Sequence, residues 1–331
     1  MASDSSPGTQ LEQWISVGTT IVAPATLIGA LLFYFGYVSS ASEYAYFGVD
    51  VDTIGLSTQD YIMRSPQTLL VPLLVLTLAG AGFLTLNAAV RGRIAAAAAP
   101  ARGEAGAAQP VANPEPHAEH IRRVVQRPRI FGLALITAGV VLLFTFTYVR
   151  GWRFYGLVTP LLMAFGAALI AYTSHLLNLL QCLRGQSPAA AKSARPLWTA
   201  HRDNPVLARR TASILIYFVI AASIFWATAT AAQWSGRGLA RYQAAHFNDL
   251  PSVILDTRER LFLTEPGIGE ATLPPSEGQT YHYRYWGLRL LIEGPDRMFL
   301  VPDRWSASDA TLIVPLNDSV RVQFQFVDQQ P

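Results

Sequence analysis

Charge is what this 331-residue sequence has least of: 14% of its residues are Asp, Glu, Lys or Arg, against 51% hydrophobic. Lys192 is the only lysine and Cys182 the only cysteine. A single cysteine excludes an intrachain disulfide, so any folded part must hold together by packing. A formal net charge of +3 supplies no basic excess for gripping nucleic acid. Signatures of chemistry are missing too, with no G-x-S-x-G elbow and no Gly-rich phosphate loop. The expectation is a chain that is not an enzyme and carries no cofactor and no metal.

The missing charge is missing in blocks. Uncharged apolar runs lie between Glu12 and Glu43, Arg64 and Arg91, Arg129 and Arg150, Arg153 and Arg184, and Arg210 and Arg237. Each can supply the roughly 20 helical residues that cross a hydrocarbon core. Inside lipid every backbone amide needs an internal partner, so each run must be helix. Five transmembrane helices are predicted, at about 14–37, 67–90, 130–149, 156–182 and 211–234, with Pro24, Pro72 and Pro160 near span ends. The first is read as a retained helix, because residues 1–13 hold no Lys or Arg to form the positive region of a signal peptide.

Arginines orient the spans. Linker 91–129 carries seven, including Arg122, Arg123, Arg127 and Arg129, and linker 183–210 carries five arginines and Lys192. Loop 38–66 has only Arg64, beside Glu43, Asp50, Asp52 and Asp60. The positive-inside rule puts both linkers and the short N-terminus, 1–13, in the cytoplasm, and the C-terminus outside. Arg122, Arg123, Arg127 and Arg129 form a lipid-facing basic cluster, each charge worth about 1 kcal/mol against an anionic surface. Residues 94–120 are rich in Ala, Pro and Gly and are expected to form a mobile loop, in which His117 and His120 lack the further fixed ligand that a metal needs.

Loop 38–66 is too patterned for a plain linker. Ser57 and Asp60 have the spacing of a capping box, predicting a short helix over 58–64, and Asp50 and Asp52 suit a preceding turn. Glu43, Asp50, Asp52 and Asp60 are also a candidate outer polar cluster for a cation, although capping accounts for most of them. Tyr44, Tyr46 and Phe47 are placed either in the headgroup layer or beneath the C-terminal domain. Within the spans, His175 and Asn178 are the candidate intramembrane polar site, expected to make an interhelical hydrogen bond. Ala134 and Ala138, Ala164 and Ala168, and Ala167 and Ala171 are spaced for close helix approach, within one chain or in a homo-oligomer.

Beyond a helical stalk at 235–247, residues 248–331 read as a small antiparallel β domain of about five strands, a barrel or sandwich. Alternation over 281–293 puts Trp286, Leu288, Leu290 and Ile292 on one face and Tyr281, Tyr283, Tyr285, Arg289 and Leu291 on the other. Tyr281, Tyr283, Tyr285 and Arg289 form the candidate surface for a partner or ligand, if that face is not packed away.

Two segments, FYFGYVSSASEYAYFGVDVDTIGLSTQDYIMRS and YRYWGLRLLIEGPDRMFLVPDRW, resemble those of uncharacterised multispan membrane proteins from high-GC bacteria with a small C-terminal extracytoplasmic domain. The resemblance implies an architecture and a bacterial cell membrane, and no activity. The fold class expected is thus an α-helical polytopic membrane protein with a small C-terminal β domain. Its role is expected to be that of a non-enzymatic anchor, scaffold or sensor whose partners are membrane lipids and another envelope protein. The alternative is a channel or transporter for ions or small solutes, with the helix bundle as the path.

Overall fold

A computed structural model describes residues 7–98, 115–149, 151–183, 205–306 and 309–325, and the side chains of 22–92, 127–149, 151–176, 210–306 and 309–325. Within these lie seven α-helices: α1 (Pro7–Tyr44), α2 (Val51–Ile54), α3 (Thr58–Ala98), α4 (Glu115–Phe144), α5 (Phe146–Val149), α6 (Tyr155–Leu183) and α7 (Pro205–Ala245). Short 3-10 turns at Ala45–Phe47 and Phe247–Asp249 follow α1 and α7. Helices α1, α3, α4, α6 and α7 are the five long and apolar enough to cross a membrane.

Several helices outrun their apolar runs. The Ser57–Asp60 capping box does open a helix, but α3 continues unbroken from Thr58 past Arg64 to Ala98. Segment 94–120 is helical at both ends, up to Ala98 and from Glu115, while 99–114 lie outside the described residues. Pro24, Pro72 and Pro160 all sit inside helices, as does Pro66. Long apolar helices tolerate this because neighbouring groups take up the freed carbonyls.

The chain divides into two compact units, Leu74–Thr230 and the remainder, Met1–Leu73 with Ala231–Pro331. In the first, α4 and α6 approach at Gly132 and Gly166, each facing the other's carbonyl oxygen, and Gly139 faces Met163. The close seam runs through these glycines; of the alanines expected there Ala167 is fully buried and Ala164 and Ala171 half-buried, while Ala134, Ala138 and Ala168 are exposed. Further along, the Thr230 hydroxyl donates to the Gly156 carbonyl at 2.8 Å, fixing α7 against α6.

In the second unit α1 lies between α3 and α7, and again glycine permits the approach. Gly36 abuts the Tyr61 carbonyl of α3, and Gly236 of α7 abuts the Ser39 carbonyl of α1. After α1, Gly48 (φ 76°) and Gly55 (φ 78°) reverse the chain around α2, which Asp50 caps by accepting the Asp52 N–H at 3.2 Å.

The strands are β1 (Ser252–Thr257), β2 (Gly269–Thr272), β3 (Tyr283–Glu293), β4 (Arg297–Pro302), β5 (Leu312–Pro315) and β6 (Val320–Gln325). They form one antiparallel sheet in the order β5-β4-β3-β1-β6, with β2 on the first half of β3. A single sheet with edges at β5 and β6 replaces the expected barrel or sandwich. Its second layer is not a sheet: Leu291, Ile292, Phe299 and Val301 share a core with Tyr44, Phe47, Val51, Ile54, Tyr61, Ala240 and Phe247. Burial of such side chains contributes about 1.5–3 kcal/mol each. Tyr44 and Phe47 thus support the β domain. The opposite face buries Val253, Leu255, Tyr285, Leu288, Met298 and Leu300 under Leu263 and Ile268.

The strict alternation expected over 281–293 fails at Gly287. Its φ of 77° breaks the pleat, and Tyr285 and Leu288 both reach the second core. A glycine inside a strand is the ordinary mark of such a bulge.

Candidate functional site

Where α1, α3 and α7 meet the sheet, several polar groups are buried together. Glu43, in the last turn of α1, is only 4% exposed. Its carboxylate takes a hydrogen bond from Gln243 Nε2 of α7 at 3.3 Å and faces Arg64 Nη1 of α3 at 3.9 Å. Arg64 in turn donates to the Tyr44 hydroxyl at 2.7 Å. Beside them the Thr68 hydroxyl donates to Ser39 at 3.1 Å, both buried. One carboxylate so ties three helices together. The Gln243 amide oxygen is buried there without a hydrogen-bond partner.

The four acidic residues of loop 38–66 do not converge. Asp60 accepts from the Ser57 N–H at 2.8 Å and from its hydroxyl at 2.7 Å, while the Asp60 N–H donates back to Ser57. Asp50 caps α2, Asp52 takes the Tyr37 hydroxyl at 3.4 Å, and Glu43 is occupied as described. Among the described residues no group of three or more His, Cys, Asp or Glu is placed to hold a metal.

The tyrosine-arginine set is dispersed. Tyr285 is fully buried; its hydroxyl accepts the Leu261 N–H at 2.8 Å, and burial raises its pKa. Arg289 is 7% exposed, pairs with Asp303 and donates to the Leu250 carbonyl at 2.9 Å, clamping the exit of α7 to β3. Tyr283 packs against the second core. Tyr281 keeps partial exposure, with the Arg321 guanidinium 5.2 Å from its ring centroid. Tyr285 and Arg289 therefore have almost no surface to offer a partner, because the Gly287 bulge turns one inward and the Asp303 pair holds the other.

Other aromatic residues of the β domain are exposed. Trp286, 45% exposed, lies across Gly269 of β2, and Phe262, 69% exposed, adopts φ 52° in the loop after β1 with Arg260 over its ring at 4.9 Å. An exposed aromatic with positive φ is uncommon. Sequence reasoning missed it for want of any periodic pattern.

Asp256 was missed as well. It is fully buried in β1 between its cross-strand neighbours Arg284 and Arg321. Arg284 Nε and Nη2 donate at 2.8 and 3.1 Å and Arg321 Nε at 3.1 Å. These hydrogen bonds, Arg284 foremost, hold its carboxyl below the usual range in spite of burial. The available signal was one acid directly after the apolar run Val253, Ile254 and Leu255.

In the other unit, His175 is exposed on α6 and its Nε2 lies 3.2 Å from Arg91 Nη2 of α3. A guanidinium can only donate, so in this contact Nε2 stands as the acceptor. Asn178 belongs to α6, but its side chain, like those of Arg122 and Arg123, lies outside the described residues; Arg127 and Arg129 are exposed on α4. Neither the family models, the curated proteins nor the solved structures contain a match to this chain.

Proposed function

We propose that this protein is a multipass component of a bacterial cell membrane, with its N-terminus in the cytoplasm and its β domain outside. There it acts as a non-enzymatic anchor and sensor: the β domain binds a partner or ligand, and the helices carry that event into the membrane. The observation supporting this reading is the core shared by β3 and β4 with the ends of α1, α3 and α7, braced by Glu43, Arg64 and Gln243. A domain on a loose tether binds without consequence for its anchor. A sheet whose second layer is made of the helices cannot shift without shifting them.

The partner-facing surface in this reading is the aromatic side at Phe262 and Trp286, not Tyr285 and Arg289. In-cell photocrosslinking from each of the two positions tests it. A single dominant species crosslinked from both positions, and lost from position 262 on Trp286→Ala, supports the proposal. Crosslinks only to lipid or to the chain itself would overturn it.

A further inference from the structure

The face of the sheet away from the helices holds a cavity of about 110 Å³. Its walls are apolar, including Leu263, Ile268, Leu288 and Leu312, and its polar side chains are Glu265 and Thr311. Glu265 Oε2 is sealed from solvent and has no hydrogen-bond partner. A carboxylate oxygen buried in that way is unfavourable until a donor reaches it, and a cationic donor answers best. We infer that the cavity is a binding site for a primary ammonium group on a short apolar stem.

Size, charge and donor geometry each narrow the choice. A 150 Å³ apolar cavity holds benzene, so about 110 Å³ suits roughly four or five heavy atoms. The terminal torsion of a glutamate is soft, so a small rotation turns either oxygen toward an entering ligand. Thr311 already donates its hydroxyl proton to the Phe47 carbonyl at 2.7 Å, leaving its lone pairs to accept a second ammonium N–H. One carboxylate and one hydroxyl are too few ligands for a divalent cation. A guanidinium would turn several of its five N–H groups against leucine. The exposed Arg304, whose stem lies over Gly267, forms no ion pair with Glu265.

This inference rests on the reading of the β domain as a binding domain and supplies the ligand chemistry. The Thr311–Phe47 bond also links the cavity wall to the turn that ends α1.

The test uses the full-length protein in nanodiscs and n-butylammonium as probe, with n-butanol as its neutral match, followed by saturation-transfer NMR. Saturable butylammonium binding is expected, weakened about tenfold by Glu265→Gln as one charge-assisted hydrogen bond is lost, and abolished by Leu263→Trp. Both variants must retain the wild-type melting temperature; if Leu263→Trp does not, Ala310→Leu replaces it. Equal binding of butylammonium and butanol, insensitivity to Glu265→Gln, or no saturable binding would each overturn the inference. Competition by N-acetyl-lysine amide would identify the source as a lysine side chain, and failure to compete would identify a free small amine. Crosslinking at Phe262 and Trp286 is read independently, so either result can fail alone.

Discussion

Gly36 of α1 and Tyr61 of α3 touch backbone to backbone: a Cβ on Gly36 would overlap the Tyr61 carbonyl oxygen. Gly236 and Ser39 repeat the arrangement on the other side of α1. Gly36→Ala and Gly236→Ala should each destabilise the protein by about 1–3 kcal/mol, the usual range for overpacking. Gly29→Ala, where nothing lies within 4 Å, should be neutral or mildly stabilising. Thermal unfolding in detergent, followed by loss of monodispersity, separates the three.

Acid should weaken the β domain through Asp256. Its folded-state pKa is depressed, by Arg284 first and Arg321 after it. The stability this contributes is complete above the unfolded value of roughly 4 and is lost as pH falls through the lower folded value. Asp256→Asn should remove that part of the pH dependence and cost about 1–3 kcal/mol, since both arginines remain partly solvated. Tryptophan fluorescence melts from pH 7 to pH 3 give the slope. An unchanged slope in the Asn variant would assign acid sensitivity to other carboxylates.

Arg289 should prove structural. Arg289→Lys keeps the charge but loses the planar fork that reaches both Asp303 and the Leu250 carbonyl. Amide exchange over residues 246–252 should quicken about tenfold or more, with exchange in β6 unchanged. Uniform quickening throughout the sheet would contradict a local clamp.

Membrane orientation is testable with one native thiol. In intact cells an impermeant maleimide should leave Cys182 unlabelled and should label Phe262→Cys in a Cys182→Ser background. The reverse pattern would invert the proposed topology.

Much of this architecture could be read from the sequence, and the failures have physical causes. Spans were legible because a charge in hydrocarbon is costly, so uncharged runs mark them. Ser57 and Asp60 announced their cap because a capping box is local, but nothing at Arg64 tells a helix to stop, and α3 runs on. Strand β2, GEAT, has no alternation to detect, and Gly287 inverted the faces of β3 halfway along. The junction was harder still. Tyr44 and Arg64 are 20 residues apart and Gln243 is 200 from Glu43, so no window of sequence holds them together.

The sheet's use of helix ends as its second layer sets an order of assembly. The strands follow all five long helices in the chain, and Phe299 and Val301 have nothing to close upon until α1, α3 and α7 stand side by side. Closure of the sheet therefore reports on the packing of α1 against α3 and α7, and a chain with one of these helices out of place would leave Phe299 and Val301 uncovered.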